Sequence, residues 1–477
     1  MTKTDIYSYI EKNQDLFISV SHRIWELAEL SLMEKKSAEL YCKVLEEQGF
    51  QVEKGLSNME TAFWGKYGEG RPYIGILGEF DALSGLSQEA GKTYYSPVVP
   101  GGNGHGCGHN MLGAGSLAAA CAVKQYLMEN NLSGTVIYYG CPGEEGYASK
   151  TYMAQDNVWR GLDVAITWHP STMNRVTTGS CIASIQREYT FSGIAAHAAG
   201  NPECGRSALD AIQLMNMGVE FMREHVPDST RIHYAITDAG GVSPNVVQAQ
   251  AKVVYMVRCP QIGDTRKLAA RVDKIAKAAA DMTETQVEVC EIDSTANTVN
   301  NTPFERLAYE NMVQVGIPTY TEEELQYAME LIRSYEAPVV VSEIEDLEDE
   351  LDQKDYDMVC QSSNNGRAAI NNFVVPYKPC RKVRMGSTDV GDVSWQTPTV
   401  QVETATFPAN CPGHSWQNVS CSATSIGDKG MILAAKVMAG TAVDLLHSQE
   451  LLDQIRAEFA KRTKESADSC ANSICAF

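Results

Sequence analysis

The sequence is short of positive charge. Its 477 residues carry 39 Lys and Arg against 60 Asp and Glu, a formal net charge of −21 at pH 7. Nucleic acid is held by clustered Lys and Arg, so this balance argues against such a partner. The same deficit opposes docking on anionic membranes, and the acidity reads as serving solubility. An export signal is missing too, because Met1 to Phe17 is polar and charged and has no apolar core. No run approaches the roughly 20 apolar residues of a membrane span, and there are no internal repeats. A cytoplasmic protein that does not bind membranes is therefore expected. Without an export signal, the 14 cysteines are expected as free thiols or metal ligands rather than disulfides. The ending Cys475-Ala476-Phe477 is one residue short of a prenylation box.

The sequence does contain an unusual concentration of metal-binding side chains in turns. Gly104-His105-Gly106-Cys107-Gly108-His109-Asn110 puts a thiol and two imidazoles into five residues bracketed by glycine. Pro142-Gly143-Glu144-Glu145-Gly146, Trp168-His169-Pro170 and Pro412-Gly413-His414 each add a candidate ligand in a turn marked by Gly or Pro. Cys107 and His109, two residues apart, can point the same way from an extended segment, and the glycines let the backbone crowd a metal. Thiolate, imidazole and carboxylate together suit zinc; imidazole with carboxylate also suits manganese. In the Glu144-Glu145 pair, one carboxylate can bind metal while the other moves a proton from water to a leaving amine. A metal lowers the pKa of water from 15.7 towards about 7. The chain is thus a candidate metal-dependent hydrolase.

The chain is too long for one ordinary core, so two or more lobes are expected. Lys3 to about Gln48 reads as interrupted helix, and Tyr73 to Gly78 as a buried strand leading to Asp81. Met111 to Met128 reads as a closely packed helix; Thr135 to Tyr139 and Asp163 to Thr167 read as strands ending at the Glu pair and at His169. Three strands therefore deliver ionisable residues at their carboxyl ends, where ligands bind in open α/β sheets. From about Ser184 to Val299 the pattern becomes β-α-β-β-α-β, a ferredoxin-like order. From about Asn300 the first domain resumes, with a helix from Asp428 to His447 near its end. The acidic stretch Glu343 to Asp357 reads as a solvated loop or helix face with no assigned role.

Taken together, these stretches resemble the M20 metallopeptidase family, in the amidohydrolase branch that holds the indole-acetyl-amino-acid hydrolases. The matching pieces are Gly78-Glu79-Phe80-Asp81-Ala82-Leu83, His105 to Asn110, Glu144-Glu145-Gly146, Trp168-His169-Pro170, Ala196-His197-Ala198-Ala199 and Pro412-Gly413-His414-Ser415, in family order. The resemblance implies an α/β fold: a zinc-peptidase-like catalytic domain with a mixed sheet and flanking helices, formed by residues 1–183 and 300–477. It also implies an inserted ferredoxin-like α+β lid and dimerisation domain, residues 184–299. It implies two divalent metal ions per chain, zinc or manganese, with Cys107 bridging, His109 and His169 at one site and Glu145 and His414 at the other. Glu144 would be the general base, and Asp81 would orient a ligand imidazole. His105 would lie behind the ligands. Many family members carry a histidine ligand where this chain has Glu79, and the Cys-Gly-His branch makes good that loss with His109. His197 would steady the developing oxyanion, often in the neighbouring subunit's site. Asn245 and Arg258 would hold the substrate's carboxylate, although Arg258 reads equally well as a surface strand residue.

The implied activity is hydrolysis of the amide between an acyl or aroyl group and an amino acid, as in p-aminobenzoyl-glutamate, with metal-activated water. A dipeptidase of the same family is the alternative, and a non-catalytic partner subunit is the rival from another class. A homodimer is expected, with a heteromer containing a related subunit as the other arrangement.

Overall fold

A computed structural model describes residues 1–335 and 342–472, with side chains up to residue 465. The terminal Cys475-Ala476-Phe477 lies outside the described residues. The chain divides into two compact units. The first comprises residues 1–179, 299–382 and 393–462; the second is built on residues 180–298 and 383–392.

The first unit is organised by a seven-stranded mixed sheet. Its spatial order is Gln51–Lys54, Phe63–Glu69, Gly134–Cys141, Tyr73–Glu79, Val164–Ser171, Thr399–Ala405 and Arg175–Val176. The four strands from Gly134–Cys141 to Thr399–Ala405 run parallel; those outside them pair antiparallel. Tyr73–Glu79 is buried along almost its whole length, as a central parallel strand with both faces covered must be. The four parallel strands end at one edge, so the segments after Glu79, Cys141, Ser171 and Ala405 emerge together.

Two long helices cover the sheet, His109–Asn130 and Ser425–His447, both rich in Ala and Gly and buried nearly all round. Small residues let them approach the strands closely. A Cβ at Gly113 would come within 2.4 Å of the Tyr41 hydroxyl and 2.7 Å of the Glu79 carbonyl. Ser425–His447 corrects the reading that no run suits a membrane span. It is long and apolar enough by length and composition, but 78% of its most apolar window is buried within the protein. A helix hydrophobic on every side is what the centre of a large core requires.

The N-terminal helical stretch resolves into three helices, Lys3–Lys12, Gln14–Leu27 and Lys35–Glu47. The acidic stretch forms a short turn at Glu345–Leu347 and the helix Gln353–Ser362. One of its carboxylates departs from the solvated reading. Glu343 is half-buried and accepts hydrogen bonds from Thr172 Oγ1, Asn371 Nδ2 (2.5 Å) and the Asn410 N–H (2.8 Å).

The second unit carries a four-stranded antiparallel sheet in the order Gln286–Thr295, Ala183–Ser192, Gln250–Cys259, Arg231–Asp238. Helices Ala208–Arg223 and Ile262–Thr283 pack on it over an apolar core that includes Ile212, Met215, Val253 and Val272. Chain order is β-α-β-β-α-β, and the arrangement is ferredoxin-like. Residues 383–392 join this unit through a two-residue parallel pairing of Val383–Arg384 with Ser180–Cys181. The cysteines from Cys42 to Cys421 are all free thiols.

Candidate metal centre

The parallel-strand edge gathers the ionisable residues. Tyr73–Glu79 runs into Asp81, Gly134–Cys141 into the helical turn Glu144–Tyr147, and Val164–Ser171 carries His169 itself. His414 follows Thr399–Ala405. Cys107 precedes the helix that His109 begins. Between them Gly108 takes a left-handed backbone (φ +78°), where a Cβ would also meet Pro170 and Met111 within 3.0 Å. Only glycine lets the chain turn there without strain or collision.

Three overlapping groups result, in each of which one ligand atom per residue lies within 4.8 Å of the others: Cys107, His109 and His169; Cys107, Glu145 and His414; and Glu79, His109 and Glu144. Cys107 belongs to the first two. Its Sγ is 3.4 Å from His169 Nε2, and Glu145 Oε1 is 3.4 Å from His414 Nε2.

The hydrogen bonds around the imidazoles decide which nitrogens are available. His109 Nδ1 donates to Asp81 Oδ1 at 2.9 Å, and His169 Nδ1 donates to the Pro170 carbonyl at 2.7 Å. Both acceptors lack protons, so each Nδ1 carries one, which leaves the Nε2 of each ring as the atom that can face a metal once its own proton is displaced. Asp81 is fully committed: its Oδ2 accepts from the Glu145 N–H at 3.0 Å and from Ser31 Oγ at 2.9 Å. Although burial opposes ionisation, these donors and His109 hold its carboxyl down to about 2.

Cys107 is pulled the same way. Burial alone would raise its pKa, but His169 and His109 outweigh that and hold the thiol well below its usual range. Conversely, burial disfavours charge on His169, yet the adjacent thiolate raises it to about 10. Burial and the Cys107 charge push Glu145 up to about 7, against the pull of His109 and His414. The hydrogen bond and charge of Cys107 and the charge of Glu145 raise His414.

These residues fit a pair of divalent ions. His109 Nε2 and Glu145 Oε1 are buried without a hydrogen bond, the state expected of atoms placed for a cation. The thiolate–imidazole–carboxylate donor set matches zinc, and a cation would replace the protons that the imidazoles otherwise carry.

His105 faces away from the cluster. Its Nε2 lies 3.1 Å from the Ile24 carbonyl, and burial lowers its pKa to about 4. Three expected residues belong to the second unit. His197 is exposed, and its Nδ1 accepts the N–H groups of Ala199 (3.2 Å) and Gly200 (3.0 Å), which leaves Nε2–H as a donor. Asn245 is exposed, and its carbonyl accepts the Ala198 N–H at 3.0 Å. Arg258 Nη1 donates to the Met385 carbonyl at 3.2 Å, and Nε has no hydrogen-bond partner.

Sequence reasoning missed two residues beside the cluster. Lys150, wholly buried, pairs with Glu79 at 2.7 Å. Glu34, also wholly buried, accepts the Gly143 N–H at 2.8 Å and Thr61 Oγ1 at 3.2 Å. Neither stands in a pattern that separates it from a surface residue.

Fold and cluster together define a candidate metal-dependent hydrolase. Residues 75–451 match the model of peptidase family M20/M25/M40. The chain is 40% identical to a subunit of the p-aminobenzoyl-glutamate hydrolase of Escherichia coli (strain K12), over 98% of this chain and 97% of that protein. It is 24% identical to the Xaa-Arg dipeptidase of Homo sapiens, over 82% of this chain and 74% of that protein. Among solved structures, a dinuclear metal-binding peptidase of family M20 from Bacillus subtilis superposes with a TM-score of 0.57 at 18% identity, covering 92% of this chain and 99% of that one. The chain belongs to peptidase family M20/M25/M40.

Proposed function

We propose that the chain hydrolyses the amide bond of N-acyl or N-aroyl amino acids, p-aminobenzoyl-glutamate among them, at a centre of two zinc or manganese ions. The observation that carries this reading is the shared position of Cys107 in two three-residue ligand groups. The similarity to the Escherichia coli hydrolase over nearly the full length of both chains supports the substrate class. His109 and His169 would hold one ion, Glu145 and His414 the other, with Cys107 between them. Bound ions would polarise the scissile carbonyl and acidify water.

The chain's own residues supply the rest. Glu144 takes a proton from the attacking water and delivers it to the departing amine nitrogen, which would otherwise leave as an unstable amide anion. Asp81 holds the His109 ring and, through the Glu145 N–H, the turn that carries both glutamates. His197, with Nε2–H as a donor, suits a developing oxyanion, and Asn245 and Arg258 suit the substrate's free carboxylate. In this reading the segment 184–299 is a lid and dimerisation domain, and His197 serves the neighbouring subunit's site. Pairing with a related subunit is the other arrangement, in line with the naming of the Escherichia coli relative as one subunit of its enzyme. We place the protein in the cytoplasm.

The test is elemental analysis of the purified chain combined with turnover of a panel of N-aroyl-glutamates and dipeptides. Two ions per chain, chelator-sensitive activity and preference for aroyl-glutamates are expected. Activity that persists with one ion or none removes the two-metal reading. Preference for dipeptides favours the activity named for the human relative. Inactivity of the metal-loaded chain until a related subunit is added would assign it a partner's role.

A further inference from the structure

A carboxylate that the proposed mechanism does not use lies within reach of the metal centre. Glu79 ends the strand Tyr73–Glu79, and its Oε2 is 3.3 Å from His109 Nε2, the nitrogen left free for a cation. Carboxylate oxygen is itself a good ligand for zinc and manganese. A cation on His109 Nε2 would therefore find a third donor beside it, next to Glu144. Coordination by Glu79 would close a position that a catalytic site must keep for water and substrate.

The other oxygen of Glu79 is restrained. Lys150 Nζ lies 2.7 Å from Oε1, and the Lys150 side chain is wholly buried on the helix Ser149–Gln155. Lysine is almost never fully buried unless it is paired, because taking an ammonium out of water carries a large desolvation penalty. That cost is not explained by core packing, since an apolar residue would fill the space without it. It is explained if the ammonium has work to do on Glu79.

We propose that Lys150 is a positioning residue that holds the Glu79 carboxylate off the metal, leaving the site open for water and substrate. The inference rests on the dinuclear reading above. With Lys150 in place, Glu79 is charge-balanced and turned towards the ammonium. Without it, the carboxylate is left beside the cation on His109.

The experiment compares wild type, Lys150→Gln, Lys150→Arg and the double variant Glu79→Gln/Lys150→Gln, all loaded with zinc. Zinc retention is measured by titration with a competing chelator, alongside kcat and KM on an aroyl-glutamate. Lys150→Gln should hold zinc roughly 10-fold more tightly, on the scale of residues that support metal ligands, and should lose kcat. Lys150→Arg should retain zinc as wild type does, because it keeps the positive charge. The double variant should return retention to the wild-type value, because the competing carboxylate is gone. Unchanged or weaker retention in Lys150→Gln, or no reversal in the double variant, overturns the proposal. Should Lys150→Gln fail to fold, a crystal structure of zinc-loaded wild type decides. Glu79 off the metal and on Lys150 upholds the proposal, whereas Glu79 oxygen at the coordination distance of about 2.0–2.2 Å overturns it. Wild type that binds fewer than two ions defeats the dinuclear reading; two ions in wild type with unchanged Lys150→Gln defeats this inference alone.

Discussion

Asp81 Oδ1 accepts the Nδ1–H of His109 at 2.9 Å while its Oδ2 accepts the backbone N–H of Glu145 at 3.0 Å. One carboxylate thus sets the ring of one candidate ligand and the backbone position of another. Asp81→Ala should weaken metal binding by about 10–100-fold, the range for lost support behind a metal ligand. Chelator competition measures this, and both ions should be affected because the two contacts serve different ligand groups. Unaltered affinity would mean that His109 and Glu145 hold their places without Asp81.

Glu144 and Glu145 are adjacent, but Glu145 falls in the group with Cys107 and His414, and Glu144 in the group with Glu79 and His109. Glu144→Gln should keep both ions and lose at least ~10²-fold in turnover, the lower end for a missing general base. Glu145→Gln should lose metal first and activity as a consequence. Metal content and rate measured on both variants separate the roles, and the opposite pattern would reverse the assignment.

Glu34 makes folding stability depend on pH. Burial and the nearby Asp81 charge raise its carboxyl from 4.5 to about 7. The folded chain then holds this proton more tightly than the unfolded chain. Its contribution is complete below pH 4.5 and is lost as pH rises through about 7. Glu34→Gln has no proton to lose and can still accept the Gly143 N–H through its amide oxygen. Denaturation midpoints between about pH 4.5 and 7.5 should show wild type losing stability relative to the variant as pH rises. Parallel curves would mean that Glu34 titrates alike in both states.

Glu343 ties together two segments that carry candidate ligands. Thr172 lies three residues beyond His169, and Asn410 four residues before His414; both donate to its carboxylate. Glu343→Ala strands these donors and Asn371, each at a cost of about 1–3 kcal/mol if left unsatisfied. Thermal unfolding should report the lost stability. Zinc retention should also fall, because the His169 and His414 segments lose their common anchor. A lower melting temperature with undiminished retention would confine Glu343 to stability.

Much of the centre was legible because its chemistry is local. Cys107 and His109 stand two residues apart between glycines, and the Glu144-Glu145 turn follows a run whose apolar pattern marks a buried strand, as does the run that leads to His169, which the structure places on the strand itself. The β-α-β-β-α-β order was readable for the same reason, since alternation and helical periodicity are properties of contiguous residues. Tertiary structure alone decided the partners of Lys150, Glu34 and Glu343. Each is a charged residue in a polar stretch, where solvent exposure is the ordinary expectation. Their burial comes from distant segments closing over them: Glu79 on Lys150, Gly143 and Thr61 on Glu34, Thr172 and Asn410 on Glu343. The return of residues 383–392 to the second unit was equally hidden, because two pairs of strand residues leave no periodic trace. Local sequence determines which elements form and which side chains can do chemistry. Where a charge is buried, and what balances it there, depends on contacts between residues far apart in the chain.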